Sequence, residues 1–406
     1  MKQYSINLIA GIICILLCVM LFNKIVNPYD IFDSPAIAGV NLYKSEVERH
    51  TRLSKIYQVE RIRPEVVLLA SSRGLVVSDQ LISNNSGLVS MNLSLPSAST
   101  YELYRLMQHA QAVHPLKKVI LALDEEITNT VQKNYSEDRM MVDANGLVNT
   151  GKWLQKWRDV FYSLLSGDGL SSSIRTIRKQ KMDPDRLNLD NYYSERIFNA
   201  GGHRQLFRNM EASILHGHSR ESDDCINDVT DASGSSNERV IYFQKIVELA
   251  YRNNIELVIY ISPVHARYYE AKCLVGEWKN IENMKRNVVR IVETVAKQEG
   301  NKPGTVWDFS GYNTITTEPV PAAGDRVSLM KWYLEGSHYS YKTAEIIFNT
   351  MFNRGHDPAD FGIKLDTGNI EDHLNAIRAQ RNAYIAAHGD VIKELKSIQY
   401  NAHVSQ

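Results

Sequence analysis

Short, unbroken apolar runs that stop abruptly in small or polar residues punctuate this chain. Val66 to Leu69 ends in Ala70-Ser71-Ser72-Arg73-Gly74, Val119 to Leu123 ends in Asp124, Leu257 to Ile261 ends in Ser262-Pro263-Val264-His265, and Thr305 to Phe309 ends in Ser310-Gly311-Tyr312. Runs of this length, rich in β-branched residues and lacking alternation, are expected of strands buried on both faces of a parallel sheet. Leu88 to Asn92 supplies a fifth, shorter strand. Helical spacing separates them: Leu42–Ile62, stopped by Pro64, then Tyr101–Val113 with Ser99 or Thr100 as cap, Glu238–Arg252, Ile281–Gln298 and Tyr341–Phe352. The alternation predicts an α/β domain with a mostly parallel five-stranded sheet covered by helices on both faces.

Three stretches break the pattern. Ile6 to Phe22 carries one polar residue and no charge, close to the lower limit of about 17 residues for a membrane span. No small-x-small cleavage site follows it, so it reads as an uncleaved anchor. Its short N-terminal tail suggests a single pass through the cytoplasmic membrane, with the body in the periplasm or outside the cell. Residues 134–237 are polar, rich in Arg, Asp and Ser, and lack a strand run; Trp153–Leu165 and Leu170–Lys181 are helix candidates, and His218–Glu238 reads as an exposed loop. This region is expected to be an insertion on the sheet core. Ile370 to Tyr400 reads as one long helix that packs on the body or on a partner protein. The expected boundaries are therefore an anchor over 1–24, a stem and helix over 25–62, core segments over 63–133 and 238–355 interrupted by the 134–237 insertion, and a tail over 356–406.

Composition removes some functions. The 406 residues hold 46 basic and 46 acidic side chains, a balance that argues against nucleic-acid binding by bulk positive charge. No zinc-ligand spacing of Cys and His, phosphate loop or dinucleotide fingerprint appears, so no metal or organic cofactor is expected. Cys14 and Cys18 fall in the apolar segment; Cys225 and Cys273 remain as a pair of thiols or a disulfide.

Candidate chemistry gathers at the strand ends, where open α/β sheets bind ligands. Serine catalysis needs a nucleophile, a histidine to take its proton and a carboxylate to orient the histidine. Ser72 follows the first strand, and Glu335 and His338 stand three apart in what reads as a loop before a helix. His265, after the fourth run, is a candidate substrate contact; Asp308 and Tyr312 are read as turn residues that could also touch a sugar.

The order of these blocks resembles the SGNH (GDSL-like) hydrolase superfamily, above all its membrane-anchored bacterial members that handle acyl groups on cell-surface polysaccharides. Ala70-Ser71-Ser72-Arg73 is similar to the family's serine block, Asn92-Leu93-Ser94-Leu95-Pro96-Ser97 to its glycine block, Ala122-Leu123-Asp124 to its asparagine block, and Glu335-Gly336-Ser337-His338 to its DxxH block. The resemblance covers about 63–123 and 238–352. It implies a flavodoxin-like three-layer α/β/α fold, with Ser72 as nucleophile, His338 as base and Glu335 as orienting carboxylate. Arg73, Ser97 and Asp124 would then lie on the oxyanion side. It further implies a serine acyl hydrolase or O-acyltransferase acting on an envelope or exported glycan. Glu replaces Asp, Ser97 replaces Gly, and Asp124 replaces Asn. The last matters most, because an ionised carboxylate only accepts hydrogen bonds; two compensations are open, protonation of Asp124 by burial so that it donates, or an Asp124–Arg73 pair that holds the guanidinium in the site. A non-catalytic glycan-binding or export-scaffold module of the same fold is the alternative.

Overall fold

The computed structural model describes residues 2–124, 137–180, 189–216, 236–355 and 358–404. They fall into two compact units: one formed by 1–64, 108–115 and 132–188, the other by 65–107, 116–131 and 189–406, each less the residues outside that description.

The second unit carries the sheet. Its strands are β1 (Val66–Leu69), β2 (Ser90–Asn92), β3 (Lys118–Leu123), β4 (Glu256–Ile261), β5 (Thr305–Asp308) and β8 (Ile363–Leu365), ordered β2-β1-β3-β4-β5-β8. The first five are parallel, with Leu68 opposite Asn92 on one side and Ile120 on the other. β8 adds an antiparallel sixth strand, Val306 facing Leu365, where five strands were expected. It has no apolar run to announce it, since two of its three residues are exposed on the sheet edge. Every residue of β1 is buried, as is all but the first residue of β3 and β4, so both faces of these strands are covered.

Helices α3 (Asp79–Ser86) and α4 (Thr100–Val113) follow β1 and β2; α9 (Ser236–Arg252) precedes β4; α10 (Ala266–Leu274) and α11 (Trp278–Gln298) separate β4 from β5. The start of α4 is a capping box: Ser99 Oγ accepts from the Glu102 N–H at 3.2 Å, and the Glu102 carboxylate accepts from the Ser99 N–H at 3.0 Å. The expected long tail helix is broken into α13 (Ile370–Ala387) and α14 (Gly389–Val404) at His388-Gly389. A single helix would have missed the fit of Tyr384, Val391, Leu395 and Ile398 into one apolar cluster with α10 and α11. Cys273 is buried there and disulfide-bonded; Cys225 lies outside the described residues.

The chain leaves β1 toward β2 on one side and returns to β3 on the other. The carboxyl ends of β1 and β3 therefore flank a topological switch point, where open α/β sheets form their ligand crevice.

The first unit holds α1 (Lys2–Val26), α2 (Thr51–Ile62), α5 (Lys152–Leu165) and α6 (Gly167–Gln180). α1 is long and apolar enough to cross a membrane, and its apolar stretch is unburied. The expected helix over 42–62 is shorter, a 3₁₀ turn Val47–His50 leading into α2, which ends with Arg63 in the left-handed region before Pro64. The middle of the chain is not one insertion on the sheet. Residues 137–180 cluster with α1 and α2, whereas α7 (Leu189–Ala200) and α8 (His203–Leu215) belong to the sheet unit. Most of the expected 218–238 loop lies outside the described residues.

Candidate active site

β1 stops because Ser71 turns the chain into a short 3₁₀ segment, Ser72–Val76. Ser71 Oγ caps it by accepting from the Arg73 N–H at 3.3 Å. The turn is clamped from β2. The Asn92 amide donates to the carbonyls of Gly74 (2.7 Å) and Val77 (2.6 Å), and its own oxygen accepts from the Ser94 N–H at 2.7 Å. Gly74 permits the close approach: a Cβ there would stand 2.4 Å from both Ala70 Cβ and Ser94 Oγ. Asn92 is thus a positioning residue that sequence reasoning treated only as the start of a block. Nothing in the sequence separates it from an ordinary post-strand turn residue.

Glu335 and His338 do not sit in an open loop. Glu335 closes the first strand and His338 opens the second strand of a tight antiparallel hairpin, β6 (Tyr333–Glu335) and β7 (His338–Tyr339), just before α12 (Tyr341–Met351). The hairpin is too short for a periodic signal. Ser337, in its turn, donates to the Glu335 carboxylate from its N–H (2.8 Å) and its hydroxyl (2.6 Å). His203, at the start of α8, binds the Leu334 carbonyl at 2.9 Å through one ring nitrogen and accepts from the Met330 N–H at 3.0 Å through the other. The hydroxyls of Tyr260 on β4 and Tyr339 on β7 meet at 3.2 Å, tying hairpin to sheet.

These two pieces bring the nucleophile and base candidates together. Ser72 Oγ lies 2.9 Å from His338 Nε2, and His338 Nδ1 is hydrogen-bonded to Glu335 Oε1. A carboxylate can only accept, so Nδ1 carries the proton and Nε2 presents its lone pair to the Ser72 hydroxyl. Burial alone would raise the Glu335 carboxyl. The hydrogen bond and charge of His338, with the two bonds from Ser337, outweigh burial and hold it below the usual carboxylate range. The His338 side chain is 36% exposed, so the relay has a solvent-facing side from which a substrate can enter.

Beside it stands a buried charge pair. Arg73 Nη1 lies 3.4 Å from Asp124 Oδ1, with both side chains 6% exposed. Asp124 Oδ2 accepts from Ser71 Oγ. Arg73 also donates to the Tyr268 hydroxyl at 3.4 Å and lies over that ring, 5.4 Å from its centroid. Asp124 therefore presents acceptors where an asparagine would present a donor, and the guanidinium supplies the local positive charge. Ser97 is exposed, with φ +51°, a left-handed conformation that favours glycine.

His265 is not a substrate contact. It is 2% exposed, its Nε2 is 2.7 Å from the Glu318 carbonyl, and its Nδ1 accepts from the Arg267 N–H as the cap of α10. Its ring packs edge-on against Phe207 and Tyr333. Burial pushes its pKa down to about 3, so it stays neutral. Asp308 is also internal, bonded to Lys285 (2.8 Å), His373 (2.9 Å) and Ser310. The Tyr312 hydroxyl donates to Glu270.

Among the described residues, no group of three or more His, Cys, Asp or Glu side chains is arranged to hold a metal ion. No protein-family model and no curated protein matches the chain.

Proposed function

We propose that the protein is a serine acyl hydrolase or O-acyltransferase of SGNH type, with a flavodoxin-like three-layer core. The observation that carries this reading is the continuous hydrogen-bonded path from Ser72 Oγ through His338 to Glu335. The parallel strand order β2-β1-β3-β4-β5 supports the fold assignment, and the switch-point position of Ser72 supports the site.

In this mechanism Ser72 Oγ attacks an ester carbonyl while His338 Nε2 takes its proton. The tetrahedral intermediate collapses as the imidazolium returns that proton to the leaving alkoxide, which leaves an acyl-Ser72. Water then releases the acid, or a sugar hydroxyl takes the acyl group. Glu335 holds the tautomer and balances the imidazolium. Arg73, kept in place by Asp124 and Tyr268, stabilises the oxyanion charge. With α1 as a single-pass anchor in the cytoplasmic membrane, the body faces the periplasm or the exterior, and the acylated substrate is an envelope or exported polysaccharide.

A second reading, a non-catalytic polysaccharide-binding or export-scaffold module, is favoured by one observation: Asp124 puts a carboxylate where the family uses an amide donor. An active-site phosphonate probe separates the two. Stoichiometric labelling of the full chain at Ser72, lost in Ser72→Ala, is the expected result; glycan binding with no labelling overturns the enzyme reading in favour of the module.

A further inference from the structure

Helix α5 is amphipathic in the wrong direction for water. Its buried positions are Lys152, Asp159, Ser163 and Leu164. Its exposed face carries Trp153 (61% exposed), Leu154, Trp157 (60%), Phe161 and Tyr162, with Arg158 as the only charge among them. The inward side is polar by construction: Asp159 takes hydrogen bonds from Tyr57 (2.7 Å) and Arg139 (2.6 Å), and Lys152 and Lys156 both pair with Glu60. α6 is lined inward by small residues: it buries Gly169, Ser172, Ser173 and Thr176, while Asp168, Ile174 and Arg178 are exposed. A soluble helix hides its apolar stripe and wets its charged one; α5 does the reverse.

Their position says what covers that face. α5 and α6 pack on each other and on α1. The Asn23 amide, near the end of α1, donates to the Leu164 carbonyl at 2.9 Å. Asn23 and Val26 are buried, Val19 and Met20 are half-buried, and the residues from Lys2 to Cys18 are exposed. The aromatic face of α5 thus begins where the apolar helix ends, at the level where Trp and Tyr collect in membrane proteins. With 14 residues, α5 reaches about 21 Å, short of the roughly 30 Å hydrocarbon core, so it is suited to lying in the interface rather than crossing.

We propose that α5, supported by α6, is an interfacial membrane-binding element whose outward face is covered by phospholipid. Trp153, Trp157 and Phe161 insert among the upper acyl carbons and Arg158 reaches the phosphates. The inference rests on the reading of α1 as a membrane anchor. It adds a second attachment that fixes how the anchor-bearing unit lies on the bilayer.

The test uses the full chain in phosphatidylcholine–phosphatidylglycerol vesicles, with and without chain-brominated lipid as a contact quencher. The emission of Trp153 and Trp157 is taken as the difference between the parent protein and a W153F/W157F variant; both substitutions are on exposed side chains, and circular dichroism checks the fold. Roughly half of that difference emission should be lost in brominated vesicles, as expected for a face buried ~5–10 Å. A Leu16→Trp reporter in the W153F/W157F background reads the anchor separately. If the reporter is quenched but Trp153 and Trp157 are not, the proposal fails while the anchor stands. Quenching by aqueous iodide would mean a solvated face; shielding from both iodide and lipid would mean a protein partner or second copy. Each of these overturns it. A reporter that escapes lipid quenching, with no flotation of the protein, removes the anchor reading and the proposal with it.

Discussion

Arg73 and Asp124 meet across the ends of β1 and β3, the guanidinium 3.4 Å from one carboxylate oxygen while Ser71 holds the other. The pair puts a positive charge into the crevice beside the carboxylate. Removing one member of such a buried pair strands the other, at a cost of about 3–5 kcal/mol, whereas replacing both with apolar residues of similar size is close to neutral. Asp124→Leu is therefore expected to lower unfolding stability by about that amount, and Arg73→Met/Asp124→Leu to recover most of it. Turnover should not recover, because the double variant lacks the guanidinium. Urea unfolding and ester hydrolysis measured on the parent and these two variants check both halves.

In the proposed mechanism Glu335 acts through His338. Glu335→Gln retains the shape but can donate to Nδ1 and so favours the wrong tautomer. A fall in kcat of roughly 10³–10⁴ is expected with KM little altered. Ser337→Ala keeps the carboxylate and loses the hydroxyl's contacts with Glu335 (2.6 Å) and His338 Nδ1 (2.9 Å) but not the Nδ1–Glu335 bond, so its effect should be far smaller. Steady-state kinetics with an aryl ester gives the split between kcat and KM.

Gly74 allows the nucleophile turn to approach Ala70 and Ser94. Gly74→Ala must displace a side chain or the turn, and a destabilisation of about 1–3 kcal/mol is expected. Because the displaced segment carries Ser72, the rate of phosphonate labelling should fall in the fraction that remains folded. Unchanged labelling would show that the turn accommodates the methyl without moving the hydroxyl.

Buried neutral histidine makes stability depend on pH. His265 has a folded pKa near 3, whereas an unfolded histidine titrates near 6.5. Between those values the unfolded chain binds a proton that the folded one does not. The stability is complete above about pH 6.5 and is lost as pH falls toward 3, at roughly 1 kcal/mol per pH unit. Burial lowers the His203 pKa in the same direction. His265→Asn, which can still cap α10, should flatten the slope between pH 6 and 4 without abolishing it. Chemical denaturation across that range measures the slope.

The buried strands were legible because they are continuous apolar runs: β1, β3, β4 and β5 lie within a residue of where Val66, Val119, Leu257 and Thr305 open those runs. The edge strand β8 and the β6–β7 hairpin were not, since two or three residues carry no period and their pairing is decided by distant partners. Ser72, Glu335 and His338 could be singled out from strand ends and a three-residue spacing. The work of Asn92, Tyr260 and His203 could not, because each acts through backbone or hydroxyl contacts made only after folding. His265 misled for a related reason: a histidine at a strand end has the same local sequence whether its ring faces the crevice or the core. The inverted face of α5 was also hidden, because periodicity marks the apolar stripe without saying what it faces.

Ser72 and His338, the proposed nucleophile and base, are 266 residues apart in the chain. At the usual pace of synthesis, Ser72 is made on the order of 10–50 s before His338 exists. For that interval the nascent chain carries an ordinary alcohol with no base beside it. The proposed chemistry is thereby timed by the ribosome: no acyl group can be taken until the hairpin has been added and folded against the sheet.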